Sequence, residues 1–334
     1  MSGVRNVVVE GGEGGQRLDR WLRNKFPGLK QGKLQKLLRT GQIRLDGARS
    51  KAADRIEEGQ SIRIPPNIED TGDDPAVDRP SLGGMDIEAA GRLGDMLKEC
   101  IIYIDDDILA INKPAGLAVQ GGSGTDTHID GALDRLKLGA RERPRLVHRL
   151  DKDTSGVLLL ARSRASAAKL AKAFKDRDAR KIYWAAVIGN PPHEGGMIDA
   201  PLAKLPGKRG DLVQVDENMG KTAKTRFRVI DRAGKAVSWL ELEPLTGRTH
   251  QLRVHCQLMG NPILGDGKYG ERDNDVFEET GIAKKMHLHA RSLSLPRKNK
   301  PSIEITAPLP PHMLDTWKIL GFDPDDEQAQ PVEL

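Results

Sequence analysis

One short stretch of the chain, His148 to Gly156, gathers residues whose side chains could carry out chemistry. Within it, Asp151 lies between two cations, Arg149 and Lys152. Nearby cations favour the ionised form of a carboxyl group, and an ionised carboxylate held in position can act as a nucleophile or a general base. The stretch therefore predicts a catalytic carboxylate. A carboxylate that serves only as an ion-pair partner in a structural loop fits the same residues.

The residues on either side predict the elements that must position this carboxylate. Val157 to Ala161 is a short, continuous apolar run preceded by a glycine, which is typical of a buried strand. Leu146 and Val147 predict the end of an incoming strand. Residues 148–155 are therefore expected to form a loop between two core strands, where catalytic groups are commonly found.

The contiguous sequence His148-Arg-Leu-Asp-Lys-Asp-Thr-Ser-Gly156 resembles the signature of the RNA pseudouridine synthases, in the branch typified by the large-subunit ribosomal RNA enzymes. Further stretches resemble the same family in the family's order, so that the resemblance covers nearly all of residues 100–320. These stretches are Asn112 to Gly116, Lys181 to Tyr183, and Leu245 to His255 continued by Gly260 to Gly270.

The resemblance implies a role for each residue that matches a motif. Asp151 would be the catalytic aspartate, and Arg253 would form the ion pair that keeps it charged. Tyr183 would stack on uracil and take part in proton transfer at carbon five, while Arg149 would help to expel and hold the target nucleotide. The same motifs contain three further residues expected to bind the substrate, which are His148, Thr154 and Lys113.

Structural explanations remain open beside these roles. Tyr183 could be a core tyrosine with a satisfied hydroxyl group, as most lone strand tyrosines are. Thr249 is predicted to cap the helix that carries Arg253.

Several histidines and a cysteine invite a metal interpretation, but their spacing fits no standard zinc or metalloprotease pattern, so that no metal is predicted. These residues are His250, His255, Cys256, His287 and His289.

The beginning of the chain predicts a small basic module of two helices and a small sheet. Apolar residues fall on one face of each helix and basic residues fall elsewhere. From about Gln16 to Pro65 the stretch resembles the alpha-L RNA-binding motif. A protein-docking module is the alternative. Four basic residues are the predicted RNA contacts, namely Arg20, Lys33, Lys36 and Arg39.

The charges divide the chain into basic and acidic regions. Residues 1–65 contain 14 Lys and Arg against 7 Asp and Glu, whereas residues 66–99 contain 3 against 9. We expect an RNA-binding domain at 1–65, an acidic flexible linker at 66–99 with one weak helix near residues 85–97, and a catalytic domain at 100–322. Residues 323–334 contain five acidic residues and no basic ones, and they are expected to be a disordered tail. Basic bodies separated by an acidic linker favour a polyanion partner, most simply nucleic acid.

The remaining features exclude several classes of protein. Two cysteines provide no disulfide framework and fit a reducing compartment. The sequence has no signal-peptide pattern and no apolar run of membrane length, which favours a soluble, cytoplasmic protein without a membrane partner. The expected fold is α+β, with a mixed, largely antiparallel central sheet of the pseudouridine synthase type, flanking helices and the small α+β domain in front.

The function implied by the resemblance is isomerisation of uridine to pseudouridine in large-subunit ribosomal RNA. It requires no cofactor, and a monomer is expected. Three alternatives stay open: a synthase acting on transfer RNA, a non-catalytic RNA-binding or ribosome-assembly factor on the same fold, and a metal-dependent nuclease. A phosphotransferase is excluded, because the kinase-like order of residues and its nucleotide-binding partners are missing.

Overall fold

A computed structural model describes residues 4–26, 29, 31–66, 68, 85–121, 125, 127–205, 212–270, 277, 280–297, 300–326 and 329. The chain divides into two compact units, Met1–Arg79 and Pro80–Leu334. Within the described residues, no helix is both long enough and apolar enough to cross a lipid bilayer.

The first unit combines two helices with a small antiparallel sheet of strand order β1-β4-β2-β3. Its apolar residues fall at helical spacing, and Leu18, Trp21 and Leu22 are buried together with Leu34 and Leu38. The two amphipathic helices predicted from the sequence are therefore confirmed. The elements of this unit are β1 (Arg5–Val8), α1 (Leu18–Lys25), α2 (Gln31–Arg39), β2 (Arg44–Leu45), β3 (Ala48–Arg49) and β4 (Ser61–Ile64).

The second unit is built on one large sheet with helices on both faces. Its helices are α3 (Ile87–Glu99), α4 (Ile129–Ala132), α5 (Arg164–Asp176), α6 (Gln251–Leu258) and α7 (Pro311–Leu320). Its strands are β5 (Ile101–Ile104), β6 (Ile108–Lys113), β7 (Arg145–Leu146), β8 (Ser155–Ala161), β9 (Arg180–Ile188), β10 (Gly195–Asp199), β11 (Leu202–Leu205), β12 (Leu212–Val215), β13 (Lys224–Ala233), β14 (Val237–Pro244), β15 (Leu288–Arg297) and β16 (Lys300–Thr306).

The order of strands along this sheet is β10-β13-β14-β9-β15-β8-β6-β5, with β16 beside β15 and β7 beside β8. Neighbouring strands are antiparallel except β8 and β15, which run parallel. β11 and β12 form a separate hairpin. The predicted α+β fold with a largely antiparallel sheet is confirmed.

Strand β8 lies in the middle of the unit, and this position explains why its sequence is continuously apolar. Leu158 and Leu160 face a core cluster that includes residues of α3 and α4. Val157 and Leu159 face the opposite cluster, which includes residues of α5. Side chains alternate between the faces of a strand, so that a strand covered on both sides must be apolar throughout. Burial of each such side chain contributes about 1.5–3 kcal/mol.

Glycine is required where β8 begins. Gly156 has a φ of +107°, and a Cβ atom on it would lie 2.2 Å from the carbonyl oxygen of Ala290 on β15. Any side chain would separate the two parallel strands. The loop before β8 is therefore attached to the core at a close backbone contact.

The helix expected near residues 85–97 is confirmed, whereas the prediction that this last part of the linker is flexible is wrong. Residues 87–99 form helix α3, whose first turn is capped by Asp86 accepting a hydrogen bond from the backbone N–H of Ala89. Leu93 and Leu97 of this helix are buried in a core cluster of the second unit. An apolar face at helical spacing thus fixes this part of the acidic segment to the core. Residues 67 and 69–84 of the predicted linker lie outside the described residues.

The predicted disordered tail is also wrong at its start. Residues 323–326 form a turn, in which the backbone N–H of Asp326 donates to the carbonyl oxygen of Asp323. Ala329 is buried in a cluster with Trp317 and Phe322. These apolar contacts hold part of the tail against α7 despite its acidic charge. Residues 327, 328 and 330–334 lie outside the described residues.

Candidate active site

The loop that contains Asp151 joins β7 to β8, as predicted. Lys113 stabilises this loop through hydrogen bonds to the backbone. Its Nζ atom donates to the carbonyl oxygens of Pro114, Leu117 and Lys152 at 2.7, 2.8 and 2.9 Å. The Lys113 side chain is completely buried and does not line the cleft described below. The prediction that it binds substrate is therefore wrong, because it anchors the backbone next to Asp151.

Asp151 is reached by two side chains from the start of α6. Arg253 Nη1 lies 3.5 Å from Asp151 Oδ2, and His250 Nε2 lies 3.9 Å from the same oxygen. About 20% of the Asp151 side chain is exposed. The carboxylate is therefore accessible to a substrate on one side and close to a fixed cation on the other. The expected pairing of Asp151 with Arg253 is present.

Arg253 is itself fixed by a second carboxylate, Asp266. Its Nε and Nη2 atoms each donate to one oxygen of Asp266 at 2.7 Å, a bidentate arrangement that defines the plane of the guanidinium group. The Asp266 side chain is fully buried. Burial alone would lower the pKa of Arg253, but the hydrogen bonds and charge of Asp266 and the charge of Asp151 raise it. Arg253 is thus a permanent cation that reaches Asp151 with its remaining nitrogen.

Tyr269 packs against both side chains that approach Asp151. The guanidinium carbon of Arg253 lies 5.0 Å from the centre of the Tyr269 ring. The hydroxyl group of Tyr269 lies 2.7 Å from His250 Nδ1. The backbone N–H groups of Lys268 and Tyr269 donate to Asp266, which holds this turn in place.

The first turn of α6 is positioned by a side chain rather than by the predicted cap. His250, not Thr249, occupies the position before the helix, with a left-handed φ of 54° and no capping hydrogen bond from its side chain. Gln251 accepts hydrogen bonds from the Thr246 hydroxyl and the Arg248 backbone N–H, and donates to Thr225. The cap at Thr249 is therefore wrong, and the Gln251 network fixes the helix.

Tyr183 lies on β9 and lines the same cleft as Asp151. Burial and the nearby charge of Asp151 raise the pKa of its hydroxyl group above the usual value. The hydroxyl therefore stays protonated at neutral pH. Within the part of the chain that the structure describes, it has no hydrogen-bond partner, which argues against a core tyrosine with a satisfied hydroxyl.

The three remaining predicted residues of the loop occupy different environments. Arg149 is exposed and lines the cleft. Thr154 also lines it but is buried, and its backbone N–H donates to the carbonyl oxygen of Asp151 at 3.2 Å, which closes the turn. His148 lines the cleft, yet its Nε2 accepts a hydrogen bond from the backbone N–H of Leu159 at 2.8 Å.

The imidazole of His148 has a structural role that the sequence did not indicate. It extends the pairing of β7 along β8 and stacks on Phe174, with ring centres 4.7 Å apart. Burial, assisted by the charge of Lys181, lowers the pKa of His148 to about 3, so that the ring is a neutral acceptor. A contact between His148 and substrate stays a prediction.

These residues surround a cleft of about 890 Å³. Its acidic lining residues are Asp151, Asp178 and Glu243, and basic side chains outnumber them. Such an excess of positive charge suits an anionic ligand such as a nucleic acid. The basic side chains are those of Arg149, Lys175, Arg177, Arg180, Lys181, Arg248 and Arg253.

The histidines that invited a metal interpretation are engaged in hydrogen bonds. His255 lies within hydrogen-bond distance of Thr225 and the Ala200 carbonyl oxygen, and His289 of Ser155 and the Ala307 carbonyl oxygen. Among the residues that the structure describes, no group of three or more His, Cys, Asp and Glu side chains could hold a metal ion.

The four basic residues predicted to contact RNA lie on the helices of the first unit. Arg20 is on α1, and Lys33, Lys36 and Arg39 are on α2. Arg20, Lys36 and Arg39 are exposed, while Lys33 is half-buried. Contact of these side chains with RNA stays a prediction.

Three residues of the site were not assigned by the sequence, namely Asp266, Tyr269 and His250. Asp266 and Tyr269 lie in the Gly260 to Gly270 stretch and His250 lies in the Leu245 to His255 stretch, both of which carried the resemblance. Their place in those motifs was the available signal. Their partners became visible only when the fold brought the two stretches together.

Comparison with known proteins agrees with this geometry. Residues 107–258 match the family model described as RNA pseudouridylate synthase. The chain is 36% identical over 313 residues to "Ribosomal large subunit pseudouridine synthase C" of Vibrio cholerae, covering 93% of this chain and 95% of that protein. It is 38% identical over 279 residues to the protein of the same name from Rickettsia typhi, covering 84% and 88%.

Solved structures give the same result. A structure titled "Human RNA Pseudouridylate Synthase Domain Containing 4" aligns with a TM-score of 0.60 and 28% identity, covering 70% of this chain and 97% of that one. A second human structure, "RNA Pseudouridylate Synthase Domain Containing 1", aligns with a TM-score of 0.52 and 31% identity, covering 63% and 83%. The identity and coverage of the relatives establish that this chain belongs to the RNA pseudouridylate synthase family.

Proposed function

We propose that this protein converts uridines of large-subunit ribosomal RNA to pseudouridine. The observation that carries the proposal is the accessible Asp151 carboxylate beside the fixed Arg253 cation, within a cleft rich in basic side chains. The names of the relatives supply the class of RNA.

The reaction is an isomerisation whose atoms balance without a co-reactant. The bond from uracil N1 to the ribose breaks, the base turns in the site, and a carbon–carbon bond forms from C5 to the same ribose carbon. The hydrogen on C5 leaves as a proton, and N1 gains a proton. No electrons are gained or lost, so that the reaction needs no redox cofactor.

Asp151 supplies the reacting carboxylate in this proposal, either as a nucleophile or as a base toward the nucleotide. Arg253, with its Nη1 atom 3.5 Å from Oδ2, holds this carboxylate in place. Tyr183 offers a ring on which uracil can stack and a protonated hydroxyl that can exchange a proton near C5. All three side chains come from one chain, which supports a monomer as the active species.

The target base must leave its stack to reach the cleft, at a cost of a few kcal/mol. Arg149, exposed at the cleft, is suited to brace the vacated position. The basic lining and the basic helices α1 and α2 would supply phosphate contacts. We therefore propose residues 1–65 as an RNA-binding domain and residues 100–322 as the catalytic domain.

The test is to map pseudouridines in RNA from cells that carry or lack the gene, then restore the gene as wild type or as Asp151→Asn. We expect specific marks in large-subunit ribosomal RNA to vanish on deletion and to return with wild type alone. Loss of marks in transfer RNA instead would reassign the substrate. Return of the marks with Asp151→Asn would identify a non-catalytic factor.

A further inference from the structure

His250 occupies a position that the proposed mechanism leaves without a role. Its ring lies between the Tyr269 hydroxyl group, 2.7 Å from Nδ1, and Asp151 Oδ2, 3.9 Å from Nε2. Its backbone is left-handed, with a φ of 54°, at the start of α6. A residue other than glycine rarely adopts this conformation, and such strain commonly accompanies a functional constraint.

The hydrogen bonds around Tyr269 favour one of the two neutral tautomers of His250. The backbone N–H of Val213 donates to the Tyr269 hydroxyl oxygen at 3.0 Å. Because this oxygen already accepts one hydrogen bond, its own proton is available to His250 Nδ1. A neutral imidazole has one donor and one acceptor nitrogen. If Nδ1 accepts from Tyr269, Nε2 carries the hydrogen and directs it toward Asp151.

The charges near Nε2 of His250 also favour a hydrogen on that nitrogen. A carboxylate near Nε2 stabilises a hydrogen on that nitrogen. The charged groups that act on His250 are Asp151 and Asp266, which favour its protonation, and Arg253 and Lys268, which oppose it. Burial is the largest influence, and it lowers the pKa of His250. The ring is therefore neutral at neutral pH.

The two oxygens of Asp151 consequently differ. Oδ2 is approached by Arg253 Nη1 and by His250 Nε2, whereas Oδ1 has no hydrogen-bond partner among the described residues. The distance of 3.9 Å exceeds that of a hydrogen bond. Catalytic hydrogen bonds are often long before substrate binds and tighten in the complex.

We propose that His250 is a positioning residue for Asp151: a neutral imidazole that Tyr269 holds in the Nε2–H form, donating to Oδ2 and leaving Oδ1 as the reacting oxygen. The inference rests on the proposed function, since it assigns Asp151 the reacting carboxylate. It extends the site to Tyr269 and to the backbone of Val213 on β12, so that the β11–β12 hairpin contributes one N–H group.

Two substitutions separate this role from a general structural one. His250→Asn removes the imidazole and keeps a residue that tolerates left-handed backbone. Tyr269→Phe keeps the imidazole and the packed ring but removes the hydroxyl that fixes its tautomer. His193→Asn, at an exposed histidine, is the matched control.

Single-turnover pseudouridine formation should fall about tenfold or more in His250→Asn and Tyr269→Phe, the factor that one hydrogen bond to a charged group commonly contributes. RNA affinity should stay within about twofold, as expected when only the reacting carboxylate is disturbed. His193→Asn should match wild type. Wild-type rates in both variants, or a loss of RNA affinity equal to the loss of rate, would overturn the proposal.

A second measurement needs no activity and thus separates failure of this inference from failure of the proposed function. Long-range ¹H–¹⁵N correlation spectra of the protein labelled with ¹⁵N-histidine distinguish the two neutral tautomers, and His250→Asn identifies the signal of His250. We expect the Nε2–H form in wild type at pH 7 and a shift toward the Nδ1–H form in Tyr269→Phe. An Nδ1–H or doubly protonated ring in the wild-type protein would refute the assignment.

Discussion

Arg253 binds Asp266 through two nitrogens at 2.7 Å and leaves a third nitrogen 3.5 Å from Asp151. The guanidinium group thus pairs with one buried carboxylate, that of Asp266, and one accessible carboxylate, that of Asp151. The buried partner fixes the plane of the group, and the accessible partner experiences a cation that cannot turn away. This division explains how Asp151 can remain aimed while part of its surface is open to substrate.

Asp266→Asn tests this division. The change preserves the shape of the side chain but removes the charge that balances buried Arg253, and breaking a buried ion pair commonly costs about 3–5 kcal/mol. We expect a lower unfolding midpoint in denaturant. We also expect turnover to fall by about tenfold to a hundredfold, because Asp266 no longer fixes the orientation of Arg253 beside Asp151. Unfolding and single-turnover assays of the purified variant measure both effects.

Asp95→Asn is the matched control, because Asp95 forms an exposed ion pair with Lys98 on α3. An exposed pair contributes about 0–1 kcal/mol. The division of roles would be contradicted if Asp266→Asn were as stable and as active as Asp95→Asn.

Lys113→Met should destabilise the loop that contains Asp151. The substitution removes three hydrogen bonds to carbonyl oxygens and leaves those of Pro114, Leu117 and Lys152 without this donor. Unsatisfied buried polar groups cost about 1–3 kcal/mol each, although burial of the Lys113 charge, which lowers its pKa to about 7, offsets part of the loss. We expect a clear fall in thermal stability, measured by calorimetry. A midpoint equal to that of wild type would show that the loop does not depend on this anchor.

Tyr183→Phe should separate stacking from proton transfer. The ring remains, so that RNA affinity is expected to stay close to that of wild type. Loss of the hydroxyl should reduce turnover by about a hundredfold, which is typical of a general acid or base. Tyr103→Phe, which removes a hydroxyl bonded to Asp105 outside the cleft, is the control. Equal turnover in the two variants would leave Tyr183 with a packing role only.

Histidines with lowered pKa values should make the second unit sensitive to mild acid. The pKa of His148 is lowered to about 3, and those of His287 and His289 are lowered to about 4. In the unfolded chain a histidine titrates near about 6.5. Between these values the unfolded state binds more protons, so that stability is present above about pH 6.5 and is lost as the pH falls toward about 4.

At pH 5 each of these histidines should lower the free energy of unfolding by on the order of 2 kcal/mol relative to pH 7. Denaturant unfolding followed by tryptophan fluorescence measures the difference, because Trp184, Trp239 and Trp317 all lie in this unit. His148→Gln should reduce the difference between the two pH values, while His193→Gln at an exposed position should not. An equal stability at pH 5 and pH 7 would show that these rings are not held in the neutral form.

Lys36→Glu and Arg39→Glu on α2 test the RNA-binding proposal for the first unit. Each should weaken RNA binding and reduce the slope of log Kd against log salt by about 0.9 for each phosphate group that the variant no longer neutralises. Lys235→Glu, at an exposed turn between β13 and β14, makes the same charge change elsewhere. An affinity and slope equal to those of Lys235→Glu would favour the protein-docking alternative for this unit.

Local patterns predicted the parts of the fold that local physics determines. The apolar run from Val157 to Ala161 became strand β8, and the amphipathic spacing of Leu18, Trp21 and Leu22 became the buried face of α1. The pairing of Asp151 with Arg253 came from the resemblance, because nothing in either stretch alone points to the other.

The features that could not be predicted depend on contacts between distant segments. Lys113 looked like a substrate-binding cation, and only the fold shows that three carbonyl oxygens enclose it. Asp266 and Tyr269 acquired roles when their turn met α6. The packing of helix α3 onto the core was not predicted, because acidic residues dominate the composition of 66–99 and the helix was expected only as a weak element of a flexible linker, although Leu93 and Leu97 form a buried face.

The most direct test of the central claim compares Asp151→Asn with Asp153→Asn, an exposed carboxylate two residues away in the same loop. Both variants are incubated with large-subunit ribosomal RNA labelled with tritium at C5 of uridine, and release of tritium is followed in a single turnover. We predict no release with Asp151→Asn, release close to wild type with Asp153→Asn, and equal RNA affinity for both. Substantial release with Asp151→Asn would contradict the account.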